Sequence, residues 1–506
     1  MKPLQTSVRV RLPAVQQIRV AAILALLAGA MLVMGTPRTA SGAEDAASSL
    51  PELWVAQRGS ASTATGAKPG GIPDWGTQKS YAIPALEIFG FDFLLNQFDR
   101  HYFDCCDFRS NIHSIRNNLK GGWVVDSDGF TVNQLGHPYQ GSTYHGIARS
   151  SGLSFGESLG YTFAGSIFWE IAGERTPPSK NDQVMTGIGG SFLGEPLFRM
   201  ANLILENSEG APRMWREAAA AVISPPTGFN RVAFGDRFKG IFDSHKPVYY
   251  SRLQMGASST VQNSQGPTTD LKRNEALLDF AIDYGLPGKP GYTYNRAFDY
   301  FSFEAIASSA GGVESVNSRG LLIGRDYESG PNYRGVWGLY GSYDYYAPQL
   351  FRVSSTALSI GTTGQLGVNN SVQLQGTAMV GTGYTAVGTI HDPANTTNNH
   401  YGVSPQALLA LRVIFGETAS LDLTAREYFV SRLGAGNAGG TDNIVRADAS
   451  LTFRIHKQHA IAVKYLLTRR DATTLTFGDA TQTRGTVGIF YTLLGHDRFG
   501  AVNWVQ

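Results

Sequence analysis

The second half of the chain alternates. In "VRADASLTFRI", Val445, Ala447, Ala449, Leu451, Phe453 and Ile455 interleave with Arg446, Asp448, Ser450, Thr452 and Arg454. In "LLDFAIDY", Leu278, Phe280, Ile282 and Tyr284 oppose Asp279 and Asp283. The stretches "AIAVKYLL", "TVGIFYTL" and "VWGLYGSYDY" repeat the pattern. Period two is the signature of strands with one apolar and one polar face. About a dozen such segments fill residues 247–495, separated by Gly, Asn and Asp turns. A soluble sandwich shows the same alternation. Charges lined up on one face, with Tyr and Trp near strand ends, fit a wet lumen and interfacial girdles better. A bilayer accepts strands only where the sheet closes on itself.

The first half follows a helical repeat instead. Leu86, Phe89, Phe93, Leu94 and Phe98 mark an amphipathic helix over 84–102. Residues 121–150 read as irregular and Gly-rich. Ser154 and Glu157 form an S-x-x-E capping box that opens a helix. Gly173 and the Pro177-Pro178 pair close it. Ser179 and Asp182 signal a second start, and Pro196 predicts a kink or restart near Gly194. A third helical piece covers 212–223 and stops at Ser224-Pro225-Pro226. Gly156, Gly160 and Ala164 are four apart, as are Thr186, Gly190 and Gly194. Small residues on one face let two helices approach closely, so 154–206 is expected to be a tight hairpin.

Composition agrees with this split. Of 506 residues, 59 are Gly and 11% are aromatic, while mean hydropathy is only −0.13. Half-wet strands give that average; a bundle of spanning helices does not. A net charge of +2, with no basic run, excludes a nucleic-acid partner. Basic residues Lys2, Arg9, Arg11 and Arg19, an apolar run over 20–35 and small residues to Ala43 read as an export signal. The expected order is a signal peptide over 1–43, a flexible linker over 44–80, a helical module over 81–240 and a barrel over 241–506. The expected fold class is α+β: a C-terminal antiparallel transmembrane β-barrel of about 12 strands with an N-terminal helical hairpin module. The adjacent Cys105 and Cys106 are the only cysteines and allow no disulfide framework.

Residues 123–199 also resemble a known family. The motifs "VNQLGHPYQGSTYHGIARSSGLSF", "AGSIFWEIAGE", "PPSKNDQ" and "GGSFLGEPLFRM" are similar to a domain of unknown function, number three-nine-four-three, found in Gram-negative cell-envelope proteins; "SPPTGFNR" fits it too. The resemblance implies an envelope location and carries no activity.

Polar residues crowd this module: His137, His145, Glu157, Glu170, Glu174, Asp182, Glu195 and Arg199. Three readings compete. In the first, these groups tie the hairpin to a polar surround, with Glu157 as a cap and Glu195 paired to Arg199 four residues on. In the second, His137 with Glu170, Glu174 or Asp182 is a general-base pair of a hydrolase acting on envelope lipid or glycan, with Ser142, Ser150 or Ser151 as nucleophile. No G-x-S-x-G elbow accompanies it. In the third, His137, His145, Glu170 and Glu174 bind a metal, although neither H-E-x-x-H nor E-x-x-H spacing is present. The first reading leads, and no cofactor or resident metal is expected. A free bilayer span over 154–182 is disfavoured by Glu157, Glu170 and Asp182. The hairpin is therefore expected to plug the barrel or cap it from the periplasm. The location expected is the outer membrane, with the periplasm as the alternative. The partners expected are outer-membrane lipid and, during biogenesis, the barrel-assembly machinery.

Overall fold

The computed structural model describes residues 79–102, 107–126, 128–206, 213–264, 273–347, 351–369, 371–389, 399–433, 440–474, 478–495 and 498–502. The expected signal peptide, nearly all of the linker and the Cys105–Cys106 pair lie outside the described residues. Helices come first, and a closed barrel of twelve strands follows.

The strands are β1 (Tyr249–Ser264), β2 (Asn274–Tyr284), β3 (Phe301–Ser308), β4 (Gly312–Ser329), β5 (Tyr333–Tyr346) and β6 (Phe351–Gly367). They continue as β7 (Val372–Thr389), β8 (Asn399–Phe415), β9 (Ala419–Val430), β10 (Gly440–His456), β11 (His459–Thr474) and β12 (Gly478–Leu494). Each pairs antiparallel with its sequence neighbour, and β1 pairs with β12 to close the sheet. Closure leaves no edge with unpaired amides.

Ion pairs between strands that are not neighbours identify the inside. Arg412 on β8 reaches Asp283 on β2 at 3.1 Å. Arg426 on β9 donates to Asp344 on β5 at 2.6 Å. Lys464 on β11 pairs with Asp279 on β2. Such pairs can meet only through the lumen. The row Glu304, Asn317, Asp344, Ser355 therefore points inward, and the adjacent row Phe303, Ser318, Tyr343, Thr356 points outward. Arg446 and Asp448 fall on the lumen side, while Val445 and Phe453 face out, as the alternation predicts. Ile323, Ile360, Val380, Leu409, Val463 and Ile489 make the outward surface apolar and exposed.

Apolar side chains close in at both ends of the lumen. At the near end, where β1 begins, Phe499, Ala501 and Val502 of the C-terminal tail pack with Tyr340, Met379 and Leu408. Gln375 donates to the Gly500 carbonyl at 2.7 Å and fixes the tail there. At the far end Tyr346, Phe351, Val353, Tyr428 and Ile444 cluster. Between them lies a charged cavity of about 150 Å3.

The longer helices are α1 (Ala82–Tyr102), α2 (Ile112–Lys120), α3 (His137–Ser150), α4 (Phe155–Phe168), α5 (Gly190–Glu206), α6 (Arg213–Ile223) and α7 (Pro225–Ala233). Wider π-helical turns lead into α3 at Val132–Gly136, continue α4 at Trp169–Gly173 and precede α5 at Gln183–Gly189. The structure corrects the expected plug or cap. The helices lie against the outward face of β2–β8, running beside the barrel from end to end. The Phe192 ring covers Gly341, where a Cβ would come within 2.5 Å of it. Tyr343 donates its hydroxyl to the Gln134 carbonyl at 2.5 Å, and Asn133 donates to Tyr401 at 3.1 Å. Phe130, Met185 and Phe192 share one apolar core with Phe280, Phe303, Tyr343, Tyr345 and Tyr401. The physical reason is plain: lumen-facing charges on β2, β5, β8, β9 and β11 pair across the barrel, whereas the outward aromatics of β2–β8 offer an apolar bed.

Three local expectations also change. The irregular stretch 121–150 contains α3, and α3 rather than α4 is the close partner of α5. A Cβ on Gly141 would sit 1.9 Å from the Thr186 carbonyl oxygen, and one on Gly190 would sit 2.6 Å from Gly141 Cα. On α4, Gly156 and Gly160 meet nothing within 4 Å. Pro196 does not break α5. Its ring nitrogen cannot serve the Phe192 carbonyl, and Ser318 from the barrel wall donates there at 2.5 Å. Finally, the Ser224-Pro225-Pro226 stop also starts α7, because proline is well suited to a first helical turn.

Candidate functional site

Two polar centres are buried in the helical module. The first sits near the barrel's near end. Glu195 on α5 accepts from Arg149 on α3 at 2.8 Å, from Arg199 at 2.9 Å and contacts His145 Nε2 at 3.1 Å. The predicted Glu195–Arg199 pair is thus present, inside a larger network. Arg199 continues to Asp299 at 3.0 Å, in the connection between β2 and β3. The Phe242 ring receives Arg149, Arg199 and Arg296 at 5.1, 4.9 and 4.4 Å, within cation–π range. All of Glu195's charge is spent on binding helix to helix and helix to barrel.

The second centre lies toward the far end and gathers all four residues named as catalytic candidates. Three π-helical turns converge on it, a geometry that recurs at functional sites. His137 follows the first turn, Glu170 belongs to the second and Asp182 precedes the third. His137 Nε2 is 3.8 Å from Asp182 Oδ2, close enough for Coulomb coupling and too far for a hydrogen bond. Glu170 accepts the Ser179 amide at 2.8 Å. Glu174 accepts from Trp169 Nε1 at 2.8 Å and from Thr176 at 3.0 Å. Although four residues apart, Glu170 and Glu174 do not share a helical face, because Glu174 leaves the helix in extended conformation.

Sequence reasoning missed the rest of this centre. Asp126 donates its amide to Asn181 at 2.8 Å, and Asn133 reaches the Asp126 carboxylate at 3.2 Å. Val124 forms an isolated bridge to Ser179 that holds this strand-like segment in place. The "VDSDG" turn was the available signal. Burial pushes the Glu170 carboxyl up to about 9, helped by Asp182 and Glu174. Burial, then the neighbouring Asp126, raises Asp182 and Asp128. Burial also raises Glu174, against the pull of His137. Burial thus favours the neutral form of Glu170, Asp182, Asp128 and Glu174.

The hydrolase reading gains no nucleophile. Ser142 donates to Tyr139, Ser150 to Gly146 and Ser151 to Ile147, each onto a backbone carbonyl one turn back. Among the described residues no group of three or more His, Cys, Asp or Glu is placed to hold a metal ion. His145 faces Glu195 and takes no part in the second centre. Glu157 caps α4 with Ser154, as expected, and also holds Lys79 and Tyr81.

No curated protein matches the chain. Among solved structures, the KdgM porin is similar at 8% identity over 48% of this chain and 98% of its own, with a TM-score of 0.22. The outer membrane channel DcaP of Acinetobacter baumannii is similar at 10% identity over 49% and 96%, with a TM-score of 0.23. The translocator domain of the autotransporter NalP from Neisseria meningitidis is similar at 13% over 48% and 87%, with a TM-score of 0.23. Scores of this size carry no weight for function, and the barrel stands on its own strand pairing. The segment that holds both polar centres, residues 122–226, matches the family described as "Domain of unknown function (DUF3943)", in agreement with the resemblance read from its motifs.

Proposed function

We propose that this is an outer-membrane protein whose barrel is an anchor and scaffold rather than an open pore. Its working part is the helical module held on the barrel's outer wall, at the boundary between protein and lipid. The observation that carries this reading is the side of the wall on which the helices sit. Helices beside the barrel leave the lumen to its own ion pairs, and those pairs occupy it. Arg252 with Glu304, Arg412 with Asp283 and Asp422, and Lys464 with Asp279 cross-brace the cavity. An exposed apolar surface around a charged interior supports the membrane location. Outer-membrane lipid is then the natural partner of the module, and the buried carboxyls beside His137 are the groups available to act on an envelope lipid or to sense pH.

Planar-bilayer conductance tests the scaffold reading. The intact chain is expected to insert without a steady open current. Arg252→Ala with Arg412→Ala removes two lumen braces and is expected to raise conductance, which shows that insertion was productive. A large steady current from the unaltered chain would overturn the reading in favour of transport.

A further inference from the structure

Helix α1 is inside-out. Its acids face the protein: Asp92 is 2% exposed and is bonded by Tyr144, and Asp99 is buried. Asn96 is buried too and donates to the Gly173 carbonyl at 2.7 Å. Both Glu87 carboxyl oxygens are buried. Its large apolar side chains face away: Leu86 is 71% exposed, Phe89 55%, Phe93 57% and Leu94 67%. A helix bathed in water arranges these faces the other way round.

Helix α4 extends the same surface. Gly156, Gly160 and Ala164 lie open, Ile167 and Phe168 are exposed, and the Phe89 and Phe168 rings meet at 5.4 Å. No exposed charge interrupts α1 between Ser80 and Asp99. At ~1.5 Å per residue, the 18 residues 81–98 cover roughly 27 Å, close to the ~25 Å apolar band of outer-membrane barrels. Polar groups border the patch at both ends. Lys79 meets Glu157 at 3.1 Å beside Tyr81 at one end, and Arg100, His101 and Tyr102 stand at the other. Tyrosines at both borders are what a membrane interface favours.

We propose that the hydrocarbon of the outer membrane covers this face, so that α1 and α4 stand in the bilayer beside the barrel and share its apolar belt. The inference rests on the outer-membrane reading of the barrel. Its support is the continuity of the two surfaces. The wall residues beneath the module (Phe280, Phe303, Tyr343) point to the same outer side of the wall as exposed Leu358 and Leu409. The module therefore displaces lipid from part of the belt and presents a fresh apolar surface in its place. No helix among the described residues is apolar enough to cross a membrane alone. Here α1 does not stand alone: Tyr144 on α3 donates to Asp92, and the turn after α4 accepts from Asn96.

The test uses the full chain with Cys105→Ala and Cys106→Ala. Single cysteines at Leu86, Phe93 and Gly160 carry a bimane label. Ile360→Cys and Val380→Cys mark the barrel belt, and Lys120→Cys marks an exposed charged helix. The proteins are reconstituted in phosphatidylcholine vesicles with plain or dibrominated acyl chains, and only protein with heat-modifiable gel migration is measured. Gly160→Cys changes an open position, so one helix site survives even where the larger replacements fail to fold. The proposal expects brominated chains to quench the helix labels as strongly as the belt labels, with Lys120→Cys spared. Quenching at Ile360→Cys and Val380→Cys without quenching on α1 and α4 overturns it and leaves the membrane barrel standing. No quenching at the belt either would remove the barrel reading as well.

Discussion

At the scale of single residues, Glu195 does the most. It sits between Arg149, Arg199 and His145, all buried. Removing one partner of a buried ion pair typically costs about 3–5 kcal/mol, because the charges left behind have no solvent. Glu195→Ala is expected to lose that much in chemical denaturation of the detergent-solubilised protein; a loss under about 1 kcal/mol, the size of a surface pair, would contradict the network. A second residue-level prediction concerns pH. Glu170 is held near 9 in the fold, above the ~4.3 of a free glutamate. A group kept protonated by the fold contributes fully below its unfolded value, and its contribution is lost as pH rises toward the folded one. The module should therefore weaken steadily from about pH 4 to about pH 9. Glu170→Gln should flatten that slope, followed by the fluorescence of Trp169 during unfolding. An unchanged slope in the variant would show that Glu170 is not the titrating group. The four candidate residues of this centre were visible as residue types in the sequence. Their convergence was not, because it depends on three π-helical turns that no periodicity announces. Arg149 was invisible for a different reason: its partner Glu195 is 46 positions away, and no spacing rule reaches that far.

At the scale of elements, glycine spacing was informative about closeness and misleading about partners. The stripe on α5 packs tightly, but on α3, which "HPYQGSTYHG" disguised with proline and glycine. The glycines that argued against a helix are the ones that let the two helices touch. Gly141→Ala puts a methyl against the Thr186 backbone and is expected to destabilise by about 1–3 kcal/mol or more. Gly160→Ala, which meets nothing, should be neutral or gain up to about 1 kcal/mol from helix propensity. Equal effects in thermal unfolding would restore the α4–α5 hairpin as the close pair. The α5 proline gives a further contrast. Ser318→Ala leaves the Phe192 carbonyl without the donor that replaces the missing amide, at an expected cost of about 1–3 kcal/mol. Urea denaturation of this variant measures it, and no loss would mean that the hydrogen bond is replaced by another donor. Strands were far more legible than helices. Alternation reports which side of a wall a residue faces, and Arg446, Asp448 and Val445 all face as their parity predicts. In α1 the helical repeat was real, yet periodicity alone does not say which stripe is buried, and here the polar stripe is.

At the scale of the whole molecule, the account depends on the side of the barrel wall that the helices occupy. From the sequence they are expected to plug the lumen or cap it from the periplasm, because polar groups on helices suit a polar wall. In the fold, Arg412, Arg426 and Lys464 already pair across the lumen, and the outward rows of β2–β8 are strongly aromatic. Neighbouring positions on one strand point to opposite sides, so a cysteine pair can report the side directly. A Cβ on Gly189 would lie 2.8 Å from the Thr356 hydroxyl on the outward row, while Ser355 beside it faces the lumen. In a background of Cys105→Ala and Cys106→Ala, Gly189→Cys with Thr356→Cys is expected to form a disulfide in the folded, membrane-inserted protein. Gly189→Cys with Ser355→Cys is expected to stay reduced. The reverse pattern, a bond to position 355 and none to 356, would put the helices inside the barrel and contradict the account.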